Sequence, residues 1–292
     1  MDLTVADVVA AMERLYPPGT AQPWDRVGLV AGDPDQPVRR VHLAVDPTLA
    51  VIEEARTAGA DLLLTHHPLL LRGVHSVATT SAKGASVTAL VVHDIALYVA
   101  HTNADVASPG VSDALAAACG LVEVEPLAIE EGQRLGRVGD LREPVGLAAF
   151  ADRIVGALPA AGGGIRVSGD PTGTVRRVAV LGGAGDGNFA DVRACGADVY
   201  VTADLRHHPA LEAREEARGG TPYLIDAGHW ASEWLWLPGL AEQLPRELGE
   251  RGATVDFHVS TLVTDPWDFV VGARSVESAA HDTRPPQRKG LS

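Results

Sequence analysis

Apolar residues fall along this chain in short continuous runs that alternate with longer stretches of helical spacing. The runs "VHLAV" (41–45), "DLLLT" (61–65), "IALYVA" (95–100), "VRRVAVL" (175–181), "DVYVT" (198–202), "PYLID" (222–226) and "TVDFHVS" (254–260) predict strands. Most have no polar face, as expected of strands covered on both sides. Between them, "PTLAVIEEARTAG" and "NFADVRACG" keep their apolar residues to one helical face and close on a glycine suited to a helix end. Strand and helix in regular alternation predict an α/β layered fold.

Sliding the chain against itself by 137 positions brings "VRRVHLAV" at Val38 onto "VRRVAVLG" at Val175 and, without a gap, "AGADLLLT" at Ala58 onto "CGADVYVT" at Cys195. The repeat predicts two similar αβ halves from an internal duplication, joined into one layered unit. The expected organisation is a first half over 1–124, a connector over 125–172 with some helix ("EPVGLAAFADRIVGAL"), a second half over 173–270, and a disordered tail over 271–292.

A chain of 292 residues can bury a sizeable core. Its net charge of −14, with arginines scattered and lysines only at Lys83 and Lys289, disfavours nucleic acid or an anionic membrane as the main partner. Cys119 and Cys195 stand alone, with no C-x-x-C, so neither a disulfide framework nor a thiolate metal site is signalled. No apolar run reaches membrane-spanning length and the amino terminus, "MDLTVADVVAAMERLYPP", has early acids and a helical apolar rhythm, which leads to the expectation of a cytoplasmic protein.

Chemistry concentrates where predicted strands end: "THHP" (65–68), "HTNAD" (101–105) and "DAGHWASE" (226–233). Open α/β sheets bind ligands beyond the carboxyl ends of their strands, so the three clusters are expected to face one crevice. His66 and His67 would point to opposite faces of a continuing strand, but a chain leaving the sheet can turn both inward. If "HWASEW" starts a helix, His229 and Glu233 are four apart on one face and can grip one ion. Three imidazoles (His66, His67, His229) and two carboxylates (Asp105, Glu233) exceed what a single catalytic zinc takes and suit two divalent ions sharing a carboxylate. The donors fit zinc, iron, manganese, cobalt or nickel without choosing among them.

The motifs "WDRVGL" (24–29), "GADLLLTHHPLL", "HTNAD", "GADVYVTADLRHHP" and "IDAGHWASE", in that order from Trp24 to Trp267, resemble the NIF-three-like dinuclear metal-centre family, whose members often carry the name GTP cyclohydrolase 1 type 2 homologue. The resemblance implies a two-metal site at His66, His67, Asp105, His229 and Glu233 inside a toroidal homohexamer. It also implies a hydrolase in which metal-activated water attacks a nucleotide-like or other small substrate. A different reading of the same residues is a non-catalytic metal-binding assembly or interaction protein. Larger family members carry an extra domain between the halves; the short connector here predicts its absence.

Three further histidines are candidates for chemistry: His101, which can also orient a ligand from behind, and His207 with His208, an "HHP" that echoes the first pair at a displaced position. "LGGAGDGNF" (181–189) lacks the Gly-Lys-Ser/Thr of a phosphate loop and predicts a tight strand-to-helix turn. His42 and His258 have no neighbours in sequence that suggest a site, and Trp230, Trp234 and Trp236 read as packing or subunit contacts.

Overall fold

The computed structural model describes residues 3–272, so the tail predicted over 271–292 lies outside the described residues from 273 onward. The first helix, α1 (Val5–Leu15), starts at a capping box: Asp7 N–H donates to Thr4 Oγ1, and Thr4 N–H donates to Asp7 Oδ2. Its apolar residues Val5, Val8, Ala11 and Met12 recur at helical spacing and are buried as one stripe.

The first half continues through β1 (Gly28–Ala31), β2 (Arg40–Ala44), α2 (Leu49–Ala58), β3 (Leu62–Thr65), α3 (Ala82–Val92), β4 (Ala96–Val99), α4 (Thr102–Val106) and α5 (Val111–Ala118). Helix α2 stops at Gly59, whose φ of 68° is left-handed, as the glycine after its apolar stripe predicts. Next come β5 (Leu121–Glu125), the hairpin of β6 (Ala128–Glu130) and β7 (Gln133–Leu135), β8 (Arg137–Gly146), α6 (Leu147–Ala157) and β9 (Arg166–Ser168). The second half holds β10 (Thr174–Ala184), α7 (Phe189–Ala194), β11 (Val199–Ala203), α8 (His207–Glu216), β12 (Tyr223–Asp226), α9 (His229–Trp234), α10 (Trp236–Glu247) and β13 (Asp256–Val259).

All seven predicted strands are present, as β2, β3, β4, β10, β11, β12 and β13. They form the parallel parts of two sheets, ordered β1-β4-β3-β2-β13 and β5-β8-β10-β11-β12-β9. The pairing of β2 with β3 (Val41↔Leu62, Leu43↔Leu64) recurs in β10 with β11 (Val178↔Val199, Val180↔Val201) at the same 137-residue offset. The protein therefore has the expected mixed α/β architecture, with matching strand–helix–strand units in its two halves.

Two features depart from the expected organisation. The strand at 254–260, grouped by sequence order with the second half, pairs in parallel with β2 of the first sheet. Helix α10 carries the chain back by burying Leu237, Leu240 and Leu244 in one cluster with Val41, Leu43 and Leu62, where each fully buried leucine contributes about 1.5–3 kcal/mol. The connector is also more structured than predicted: β8 lies between β5 and β10 in the second sheet, and β9 forms its far edge against β12. Antiparallel additions of this kind, partly solvent-facing and rich in charge ("RVGDLREPVG"), lack the continuous apolar run that identifies a buried parallel strand. Among the described residues no helix is long and apolar enough to cross a membrane.

Candidate metal centre

Parallel strands of both sheets end toward one crevice. After β3, Thr65 Oγ1 donates to the His67 carbonyl at 2.9 Å, and the chain leaves the sheet with the rings of His66 and His67 only 5.1 Å apart. After β4, α4 places Asp105 in its first turn. After β12, Gly228 (φ 79°) makes the bend that starts α9, and His229 and Glu233 meet across one helical turn, Nε2 to Oε1 3.1 Å. Their predicted spacing and helix are thus both observed.

Glu233 sits in the middle. Its Oε1 lies 3.4 Å from His66 Nε2 and 3.1 Å from His229 Nε2, and its Oε2 lies 3.0 Å from His67 Nε2. His66 Nε2 is also 3.6 Å from Asp105 Oδ1, and the Nε2 atoms of His67 and His229 face each other at 3.3 Å. All five predicted ligands are brought together. His66 Nε2, Asp105 Oδ1 and Glu233 Oε2 are buried without a hydrogen bond of ordinary geometry among the described residues, a costly state for a polar core unless something else is held there.

The opposite nitrogen of each imidazole explains what that is. His66 Nδ1 is 2.9 Å from the Ala100 carbonyl, His67 Nδ1 2.7 Å from Asp46 Oδ1, and His229 Nδ1 2.8 Å from Asp204 Oδ2. Those oxygens only accept, so each Nδ1 carries the proton and each neutral ring turns a bare Nε2 lone pair inward. Three converging lone pairs and two carboxylates repel one another unless a cation lies among them. The residues therefore fit divalent ions of the zinc to manganese class.

Without metal, protons take that role. Burial opposes charge on His66, His67 and His229, but the Glu233 carboxylate beside them outweighs it; His67 is held well above the ordinary imidazole pKa and His229 is raised to about 9. Burial likewise opposes ionisation of Glu233, yet the three imidazoles hold it well below the usual carboxylate range. Asp105, buried and with the Glu233 charge close by, is pushed up.

His101 joins the cluster from the rim, its ring centroid 5.2 Å from His66 and 5.5 Å from His67. Its Nδ1 is fixed 2.9 Å from Asp25 Oδ1, and Asp25 in turn accepts from the Thr102 N–H (3.0 Å) and hydroxyl (2.5 Å). By contrast, His207 and His208 start α8 as exposed side chains set edge to face against each other, ring centroids 5.1 Å apart, and the structure does not bring them into the cluster. Trp230 and Trp236 are buried in the core shared with the first sheet.

Four residues that shape the centre carry no assigned role in the sequence reading: Asp25, Asp46, Asp204 and Gly183. The carboxylates stand directly behind ligands or His101, and two of them follow predicted strands, "AVDP" and "TADL", so their place at a strand's carboxyl end is a usable signal. Gly183 lies at the start of the predicted 181–189 turn, in the last residues of β10, with φ 68°; a Cβ there would lie 2.3 Å from Glu233 Oε1. Only a glycine leaves room for the carboxylate.

A cavity of about 1000 Å³ opens beside His67 and His229. Its walls include Asp46, Asp204, Arg166, Arg206 and Trp267, with Arg166 paired to Asp226 and Arg206 to Asp186.

The sequence matches the family Duf34/NIF3 (NGG1p interacting factor 3) over residues 3–266. A Streptomyces coelicolor protein named GTP cyclohydrolase 1 type 2 homolog is 50% identical over 280 residues, covering 94% of this chain and 97% of the relative. A Mycobacterium tuberculosis protein of the same name is 37% identical, covering 92% and 98%; that alignment runs over 378 positions, so the relative carries residues this chain lacks. Among solved structures, a Bacillus cereus protein related to NIF3 superposes with a TM-score of 0.85 at 27% identity, covering 92% of this chain and all of that one.

Proposed function

We infer the function from one premise: the chain belongs to the Duf34/NIF3 family. On it we propose a metal-dependent hydrolase that acts on a small, nucleotide-like molecule from a two-ion centre. The observation that carries this reading is the convergence of three Nε2 atoms on Glu233, with Asp105 beside that of His66, while the Nδ1 of each of these rings is committed to an oxygen. His67, His229 and Glu233 make one donor group, and His66, with Asp105 and Glu233 beside its Nε2, would belong to the second ion. Five donors shared by two ions leave positions open for water and substrate, whereas a structural site saturates its ion with protein ligands. Divalent ions bound there supply the Lewis acidity that activates water and polarises an electrophilic carbon or phosphorus.

The chain's own groups supply the rest. Asp46 and Asp204 hold the rings of His67 and His229 in place, and Asp25 fixes the His101 tautomer so that its Nε2 can take or return a proton at the reacting group. The cavity beside His67 bounds the substrate to an ordinary small molecule. The name its relatives carry puts a purine nucleotide first on the panel. A phosphate tail would have to draw Arg166 and Arg206 from their aspartate partners, so less charged substrates belong on it too.

The test is turnover of nucleotides, phosphoesters and cyclic amides by metal-loaded protein, with metal content measured in parallel. Two ions per chain, and an activity abolished in both His67→Ala and Glu233→Ala, is the expected result. Metal-dependent stability with no turnover across the panel favours the rival reading, a metal-binding assembly or interaction protein. The homohexamer implied by the family resemblance stays part of the proposal, and light scattering on the purified chain tests it.

A further inference from the structure

Outside that centre, a second trio of ligand-type side chains meets on the first sheet. β2 and β13 run parallel with His42 directly opposite His258, and their rings lie side by side with centroids 5.0 Å apart and planes 32° from parallel. Helix α2 lies over this layer through Val51, Ile52 and Ala55, and from it Glu54 reaches down so that Oε2 stands 3.0 Å from His42 Nε2. One donor atom from each of His42, Glu54 and His258 lies within 4.8 Å of the others.

The surroundings make an accidental cluster a poor account. His42 is wholly buried in line with Leu63, its register partner on β3, and its Nδ1 meets no hydrogen-bond partner among the described residues. A core histidine satisfied by one carboxylate would need nothing more than Glu54. Here a second imidazole, exposed on the edge strand, is brought against the pair, while the Ser260 hydroxyl donates to Glu54 Oε2 at 2.5 Å and fixes the carboxylate. The 3.0 Å separation of His42 Nε2 from Glu54 Oε2 falls in the 3.0–3.6 Å range of donor separations found in the main centre. Two nitrogens and one oxygen, with an opening toward water beside His258, form a donor set that zinc-class ions take.

We propose that His42, Glu54 and His258 form a separate site for one zinc-class divalent ion per chain, which clamps the edge strand β13 to β2 and α2. Because β13 is where the chain returns from the second half to the first sheet, the ion would secure that return.

The proposal does not depend on the function inferred above, and Zn²⁺ alone serves as the probe. Chelator-stripped protein is reloaded with Zn²⁺, desalted and analysed for metal per chain. His258→Ala, an exposed substitution that touches none of the main ligands, is expected to bind one ion fewer than the wild type. Glu233→Ala keeps the separate site, so Zn²⁺ still raises its Tm, and adding His258→Ala removes that rise. Anomalous scattering at the zinc edge is expected to show a peak about 2.0–2.2 Å from donors of all three residues. Equal metal content in wild type and His258→Ala, or zinc-loaded crystals with no peak among the trio, overturns the proposal.

Discussion

Replacing Gly183 by alanine adds one methyl group at the most crowded point of the candidate centre. The new Cβ would lie 2.3 Å from Glu233 Oε1 and 3.3 Å from His229 Nε2, whereas real Cβ contacts essentially never fall below 3.0 Å. The carboxylate must therefore retreat by about 0.7 Å, several times the ~0.2 Å latitude of a metal–ligand distance. The backbone cannot yield instead: Gly183 N–H donates to Ser232 Oγ and its carbonyl accepts from Thr202 Oγ1, both at 3.0 Å. A non-glycine residue at φ 68° adds about 1–2 kcal/mol of strain, which lowers Tm by roughly 2–6 °C in a chain of this size. Gly196→Ala separates the two effects, since Gly196 has φ 69° and nothing within 4 Å of the added carbon. Both variants should lose the same few degrees as metal-free proteins. Only Gly183→Ala should also lose about 10–100-fold in metal affinity, read by competition with a chromophoric chelator. Equal metal affinity in Gly183→Ala and Gly196→Ala would falsify the placement of Glu233 at the heart of a metal site.

Other outcomes follow from the same geometry. Asp46→Asn and Asp204→Asn remove the charge behind His67 and His229 and should each weaken metal binding about 10–100-fold with the far-ultraviolet circular dichroism unchanged; wild-type affinity in both refutes the orienting role. Stripping the metals should lower Tm, by roughly 4 °C per ion relative to protein held at 100 times the dissociation constant, because each ion that binds only the folded state adds about 2.7 kcal/mol there. In metal-free protein His229 titrates near 9, above the ~6.5 of an unfolded chain, so its protonation stabilises the fold fully below ~6.5 and that contribution disappears as pH rises through 9. The metal-free Tm should accordingly fall between pH 6.5 and 9, a decline that Zn²⁺ suppresses by taking the proton's place; a metal-free Tm that holds constant over that window contradicts the cluster's electrostatics.

Much of the centre was legible because one physical rule located it. Parallel strands buried on both faces appear as unbroken apolar runs, and the polar residues where those runs stop must gather at one rim of the sheets. That placed His66, His67, Asp105, His229 and Glu233 together before any coordinates. What stayed hidden has no such periodic signature. His42 and His258 are separated by almost the whole chain and meet only because α10 brings β13 back beside β2, a pairing that sequence order argued against. The strands β8 and β9 pair antiparallel, β8 interrupted by charged residues and β9 only three exposed residues long, so neither stands out.

The internal repeat shows how the two halves divide the work. At the 137-residue offset, the position of His67 falls on Asp204 and that of Asp46 on Gly183. The displaced "HHP" at 207–209 is therefore not the counterpart of His66 and His67; Ala203 and Asp204 are, and Asp204 sits at φ 53° with its carboxylate against His229 Nδ1. Aspartate tolerates that left-handed conformation better than most residues, which lets it hold the ring where a histidine at the corresponding place in the other half points inward. In the first half Asp46 orients His67, while in the second the same position is reduced to a glycine, whose missing side chain leaves the space that Glu233 fills. Each half thus contributes at the matched positions what the other omits: a ligand facing its orienter, and an orienting carboxylate facing an opening. A centre divided in this way cannot be assembled by either half alone, so separately expressed halves should bind the metals tightly only after they associate.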